Sequence, residues 1–134
     1  MSTKINDLAH YVDVINASGT PAAKTASISG NTNGVDLGFD DGNCFAIQDI
    51  GTVSGTTPTW SGKFQESNDN GVTDAWTDVT NGAFAQVTAS NNTQVITFQR
   101  TKRWLSYVGT IGGTSTPTFG LDVLILQQHK QGGG

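Results

Sequence analysis

Residues 59–65 read Thr59-Trp60-Ser61-Gly62-Lys63-Phe64-Gln65, an alternation of apolar or small side chains with polar ones. A period of two belongs to an extended strand with one buried and one wet face, because successive side chains point to opposite sides of a sheet. Phe45 and Ile47 alternate in the same way with Ala46 and Gln48. Outward from these stretches, further strand candidates fall at 24–29, 34–39, 43–53, 57–67, 75–79, 83–88, 93–99, 102–111 and 117–127. They are separated at Gly30-Asn31, Asp41-Gly42, Ser54-Gly55, Asn68 to Gly71, Asn81-Gly82, Asn91-Asn92 and Gly112-Gly113, the residue types that turns demand. Short strands at such regular spacing predict an all-β protein, a two-sheet antiparallel β-sandwich of jelly-roll-like form, over residues 23–128.

Composition agrees with this. A chain of 134 residues suits one domain. Charged residues make up only 13%, while Thr (19), Gly (17), Ser (10) and Asn (10) are abundant, a mixture poor in helix formers. Phe64, Trp76, Phe84, Ile96, Phe98, Tyr107 and Leu124 are the expected core. The run Leu121-Asp122-Val123-Leu124-Ile125-Leu126 is apolar enough for a central strand, which obliges Asp122 to face solvent or a partner. Residues 1–22 read two ways: Leu8, Tyr11, Val12 and Ile15 form a helical stripe, whereas Val12 and Val14 alternate as in a strand. The segment is therefore an N-terminal arm or the first strand of the same domain. Residues 129–134 end in Gly132-Gly133-Gly134 and read as a flexible tail.

The formal charge of −4 argues against nucleic acid, whose binding calls for a basic face. No apolar run has the length of a secretory signal or a membrane span, so a soluble, leaderless protein is expected. A single cysteine, Cys44, beside Phe45, Ala46 and Ile47, reads as a buried thiol with no disulfide partner in the chain.

Residues suited to catalysis are scarce. His10 and His129 lie outside the strand candidates, and no Lys, Arg or His stands near Cys44 to activate it. Neither an enzyme nor a cofactor is expected. Glu66 to Asp74 imitates a calcium loop, with oxygen side chains before Gly71, but it fails at Glu66 and at Thr77, where a bidentate carboxylate belongs. A tight β connection explains the same residues. Arg100, Lys102, Arg103 and Trp104 place three cations next to an aromatic, a pattern shared by single-strand binders and by salt-bridging subunit contacts. In an acidic chain a polar strand face or a salt-bridging patch against another subunit is the better reading. With Ile5, Leu8, Tyr11 and Val12 of the N-terminal segment, these four are the expected partner-binding residues. Gly51 to Thr59 also recurs loosely as Gly109 to Thr118, each reading as a hairpin loop followed by a new strand.

The middle of the chain resembles a known family. The residues that carry the likeness are Lys63-Phe64-Gln65-Glu66-Ser67-Asn68-Asp69, Trp76-Thr77-Asp78-Val79 and Arg100 to Arg103 leading into Trp104-Leu105-Ser106-Tyr107-Val108-Gly109. Val35 to Phe39 and Ile47 to Gly51 add to it, so that it covers about residues 33–126. These stretches resemble the small β-sandwich proteins encoded among tailed-bacteriophage head genes, which decorate capsids. The chain departs from that pattern in a longer loop between Asp69 and Trp76, and in Trp104 and Ser106, where Tyr and a basic residue are usual. The resemblance implies a cement protein with no catalytic residues. Such a protein binds the major capsid protein on the outer face of the virion after assembly in the host cytoplasm, and associates with itself as a trimer or, alternatively, a dimer. Rival expectations from outside the family are a carbohydrate-binding module using Trp60, Trp76 and Trp104, and a tail-associated phage protein.

Overall fold

The computed structural model describes residues 12–16, 22–29, 34–38 and 42–128. These residues contain strands and no helix: β1 (Val12–Asn16), β2 (Ala22–Lys24), β3 (Gly34–Asp36), β4 (Asn43–Ser67), β5 (Thr77–Ala83), β6 (Asn92–Gln99) and β7 (Trp104–Gln128). All pairs are antiparallel and belong to one hydrogen-bonded sheet. Within the 1–22 segment, β1 is a strand of that sheet, paired from Val12 opposite Gln128 to Asn16 opposite Leu124. Ile5, Leu8 and Tyr11 lie outside the described residues, as do His10 and His129.

Two strands of 25 residues each, β4 and β7, form the spine, paired from Cys44 opposite Gln127 to Ser67 opposite Trp104. Beside β7 run β1, β2 and β3 in turn, and beside β4 run β6 and β5. The core takes side chains from both ends of the spine: Ala46, Ile50, Val123 and Ile125 from one, Trp60, Phe64, Leu105 and Tyr107 from the other. Phe64 meets Phe98 of β6 at 5.1 Å between ring centroids, which shows the inner faces of the two ends in contact.

The expected breaks at Ser54-Gly55 and Gly112-Gly113 are corrected here, because β4 and β7 run through both. The two similar stretches are not hairpin loops; they pair with each other, Val53 opposite Phe119 and Thr59 opposite Gly112, with register shifts between. Gly55 (φ 108°) lies under Pro117, and Gly113 (φ 113°) under Pro58. A Cβ on either glycine would come within 2.7 Å and 2.9 Å of the respective proline Cα, so only glycine lets the strands cross this closely. Two residues beyond each proline, Trp60 and Phe119 meet with ring centroids 5.6 Å apart and planes tilted by 43°. The corner is thus reciprocal, each stretch giving a glycine, a proline and an aromatic ring in the same order.

Of the expected core, Phe64, Phe84, Phe98 and Tyr107 are buried and Ile96 packs against them. Leu124 is not part of it. Its neighbours Val123 and Ile125 point inward, and the period of two turns Leu124 to the opposite face with Asp122. Trp76 is also outside the core, half-buried over Gly71 and Gly34.

Candidate interaction surface

The basic cluster at 100–103 is committed within the chain. Arg100 is buried, donating to the carbonyls of Leu37 (3.2 Å) and Lys102 (2.8 Å) and to the Gln127 side chain (3.2 Å). It ties the open end of the sheet together. Lys102 forms an ion pair with Asp74 at 2.9 Å, and Arg103 grips Asp36 with two bonds of 2.8 and 2.7 Å. The Arg103 hydrogen bonds hold the Asp36 carboxyl below the usual carboxylate range. Trp104 is half-buried, its backbone in register with Asp36 and Ser67. Among the three tryptophans, Trp60 is wholly buried, so it offers no stacking face to a sugar.

In the stretch with calcium-loop spacing, Glu66 accepts from the amide and hydroxyl of Thr101 (2.7 Å each), Asp74 pairs with Lys102, and Asp69 turns on the loop's own backbone. Asp69 accepts from the amides of Val72 (3.0 Å), Thr73 (2.8 Å) and Asp74 (3.1 Å) and from the Thr73 hydroxyl. That hydroxyl, with the amides, holds the Asp69 carboxyl far below its ordinary range. Ser67 Oγ accepts from the amides of Gly71 and Asp69, and Asn70 takes the left-handed backbone that the turn requires. No group of three His, Cys, Asp or Glu side chains suited to a metal ion occurs among the described residues.

The surface that sequence reasoning missed lies on the outer face of β6, β4 and β7. Register places Thr97, Phe45 and Leu126 in one row, Val95, Ile47 and Leu124 in the next, and Thr93, Asp49 and Asp122 in the third. The alternation in β4 has the expected period but the opposite parity: Ala46 and Gln48 are fully buried, whereas Phe45 is 38% exposed. Val95 is 53% exposed, and Ile47, Leu124 and Leu126 are partly so. At the end of this face Phe45, Thr97 and Leu126 join Cys44 and Phe98 in lining a cavity of about 470 Å³.

Parity is decided by contacts with the other end of the spine. Gly62 on the inner row of β4 leaves room for the Tyr107 hydroxyl, which receives a hydrogen bond from Trp60 Nε1 (2.7 Å) and donates to Gln48 Oε1 (2.5 Å). The buried Gln48 therefore has a partner inside for its Oε1, though its Nε2 is buried without one, and its flanking residues Ile47 and Asp49 turn outward. The outer face at the far end of the spine differs in kind. There Lys63 and Gln65 bond Asp78 at 3.0 and 2.9 Å, and Gln86 bonds Ser61, all on a polar surface. Asp122 was the legible signal, since an acid cannot share the buried face of its strand and Leu124 and Leu126 have its parity.

No protein-family model matches the chain, and no curated protein matches it in sequence.

Proposed function

We propose that the protein is a structural binding module that lays the apolar outer face of β6, β4 and β7 on a larger protein assembly, and that this assembly is a bacteriophage shell. The observation that carries the reading is the contrast between two outer faces of one sheet, Phe45, Ile47, Val95, Leu124 and Leu126 on one and the Lys63–Asp78–Gln65 network on the other. A contiguous exposed apolar patch on a folded chain marks an interaction site. Its form, three rows across three paired strands, suits the broad surface of a protein partner. The shell as the partner rests on the likeness of residues 33–126 to capsid-decorating proteins. In this reading the chain has a sandwich-like body, adds no chemistry, and stabilises the assembled shell by binding that state alone.

Co-sedimentation with empty shells assembled without this chain tests the proposal. Saturable binding that raises the temperature of shell disruption is the expected result. Shells that sediment free of the protein and disrupt at an unchanged temperature would overturn it.

A further inference from the structure

The apolar outer face changes character along its strands. Its three rows lie two residues apart, a step of about 7 Å along each strand. At one end Phe45, Leu126 and Thr97 border the cavity of about 470 Å³, whose wall includes the buried Phe98 and Cys44. Val95, Ile47 and Leu124 make a continuous apolar row in the middle. At the other end Asp49 stands directly opposite Asp122 across the β4–β7 pair, and the Thr93 hydroxyl donates to Asp49 at 2.8 Å. The residues of the three rows thus include two acids and no base.

We infer that this face takes an extended segment of a partner protein that seats an aromatic side chain in the cavity beside Phe45 and, four residues away, sets a Lys or Arg against Asp49 and Asp122. The inference rests on the reading of this face as a docking surface and adds the chemistry of what docks there. Two independent features select the occupant. A pocket of this size at the end of an apolar row accepts a bulky ring, the kind of anchor that carries much of the energy of a protein contact. The acid pair selects the charge. Like charges directly opposite one another on neighbouring strands destabilise the free chain, and a cation brought against both relieves that cost. A second copy of this chain, with its formal charge of −4, would instead bring further acids to the pair. Phe45 and Asp49 are four residues apart on one strand, about 13 Å, so an extended partner holds its ring and its cation at the same spacing. The residue between them, two from each, meets the middle row and is apolar.

The test is a titration of the full chain with three blocked peptides, followed by the NMR shifts of the protein amides: Ac-Trp-Thr-Val-Thr-Arg-NH2, the same peptide ending in Glu, and the reordered Ac-Trp-Thr-Arg-Thr-Val-NH2. The first is expected to bind saturably and to shift amides at 43–49, 93–97 and 122–126. The Glu peptide and the reordered one are each expected to bind at least about fivefold more weakly. With Asp49→Asn and Asp122→Asn together, the Arg and Glu peptides are expected to bind alike, because the variant removes the charges and keeps the shape. Arg and Glu peptides that bind the wild type alike, a preference that survives in the double variant, or a reordered peptide that binds as well as the first would each overturn the inference and leave the docking face standing. A face that none of the peptides shifts would overturn both.

Discussion

Trp60 donates its indole N–H to the Tyr107 hydroxyl at 2.7 Å, in a site from which both side chains exclude water completely. The hydroxyl passes its own proton toward Gln48 Oε1, and burial raises the Tyr107 pKa far above its ordinary value. Tyr107→Phe would leave an indole N–H and an amide oxygen buried without partners, at a cost of about 1–3 kcal/mol for each group so stranded. Adding Gln48→Leu removes the stranded oxygen along with its partner. The double variant is therefore expected to lose less stability than the sum of the two single ones, which urea unfolding of all four proteins in a double-mutant cycle would measure.

The reciprocal corner makes a second prediction. Gly55→Ala and Gly113→Ala each force a side chain into left-handed backbone against a proline, and each is expected to cost roughly 1–3 kcal/mol. Thr57 (φ 46°) and Thr116 (φ 48°) already bear that strain as β-branched residues. Thr57→Asn and Thr116→Asn are expected to raise stability by up to about 1 kcal/mol, since Asn tolerates this conformation. Thermal melts of the four variants would show both signs of effect at one corner.

Acid should act late on the loop between β4 and β5. The Asp69 carboxyl is held down by the Thr73 hydroxyl and by the amides of Thr73, Asp74 and Val72. A group whose folded pKa is depressed contributes stability that is complete above its unfolded value, about 3.9, and is lost only as the pH falls toward the folded one. Asp74, lowered first by its bond from Lys102, has the same sign. Amide exchange at Val72, Thr73 and Asp74 is expected to stay protected at pH values where ordinary carboxylates are already protonated. Asp69→Asn is expected to abolish that protection at all pH values, because one acceptor oxygen is replaced by a donor.

Much of this architecture was legible in the sequence, and what was not has a physical cause. The all-β class follows from period-two alternation, and the buried aromatic set of Phe64, Phe84, Phe98 and Tyr107 follows from their size. The continuity of β4 through Gly55 and of β7 through Gly113 was hidden, because Gly and Pro punctuate turns in most contexts. Here their strain is shared across a strand pair that only the folded chain brings together. The parity of residues 43–50 was hidden for another reason. Phe45 and Ile47 are more apolar than Ala46 and Gln48, so hydropathy alone points the wrong pair inward. What turns Gln48 in is the Tyr107 hydroxyl above Gly62, a contact 59 residues away along the chain. Arg100 was likewise read as a surface group, and its three acceptors in the sheet end were out of view of the sequence.

The decisive measurement is the binding of a Phe45→Asp variant to empty bacteriophage shells, compared with the wild type and with Lys63→Ala on the polar outer face. Phe45 is exposed at the centre of the apolar row between Thr97 and Leu126, whereas Lys63 lies at the other end of the spine. The expected result is a folded Phe45→Asp protein whose affinity for shells falls about tenfold or more, with Lys63→Ala unchanged. A Phe45→Asp protein that sediments with shells as the wild type does would contradict the assignment of this face as the docking surface.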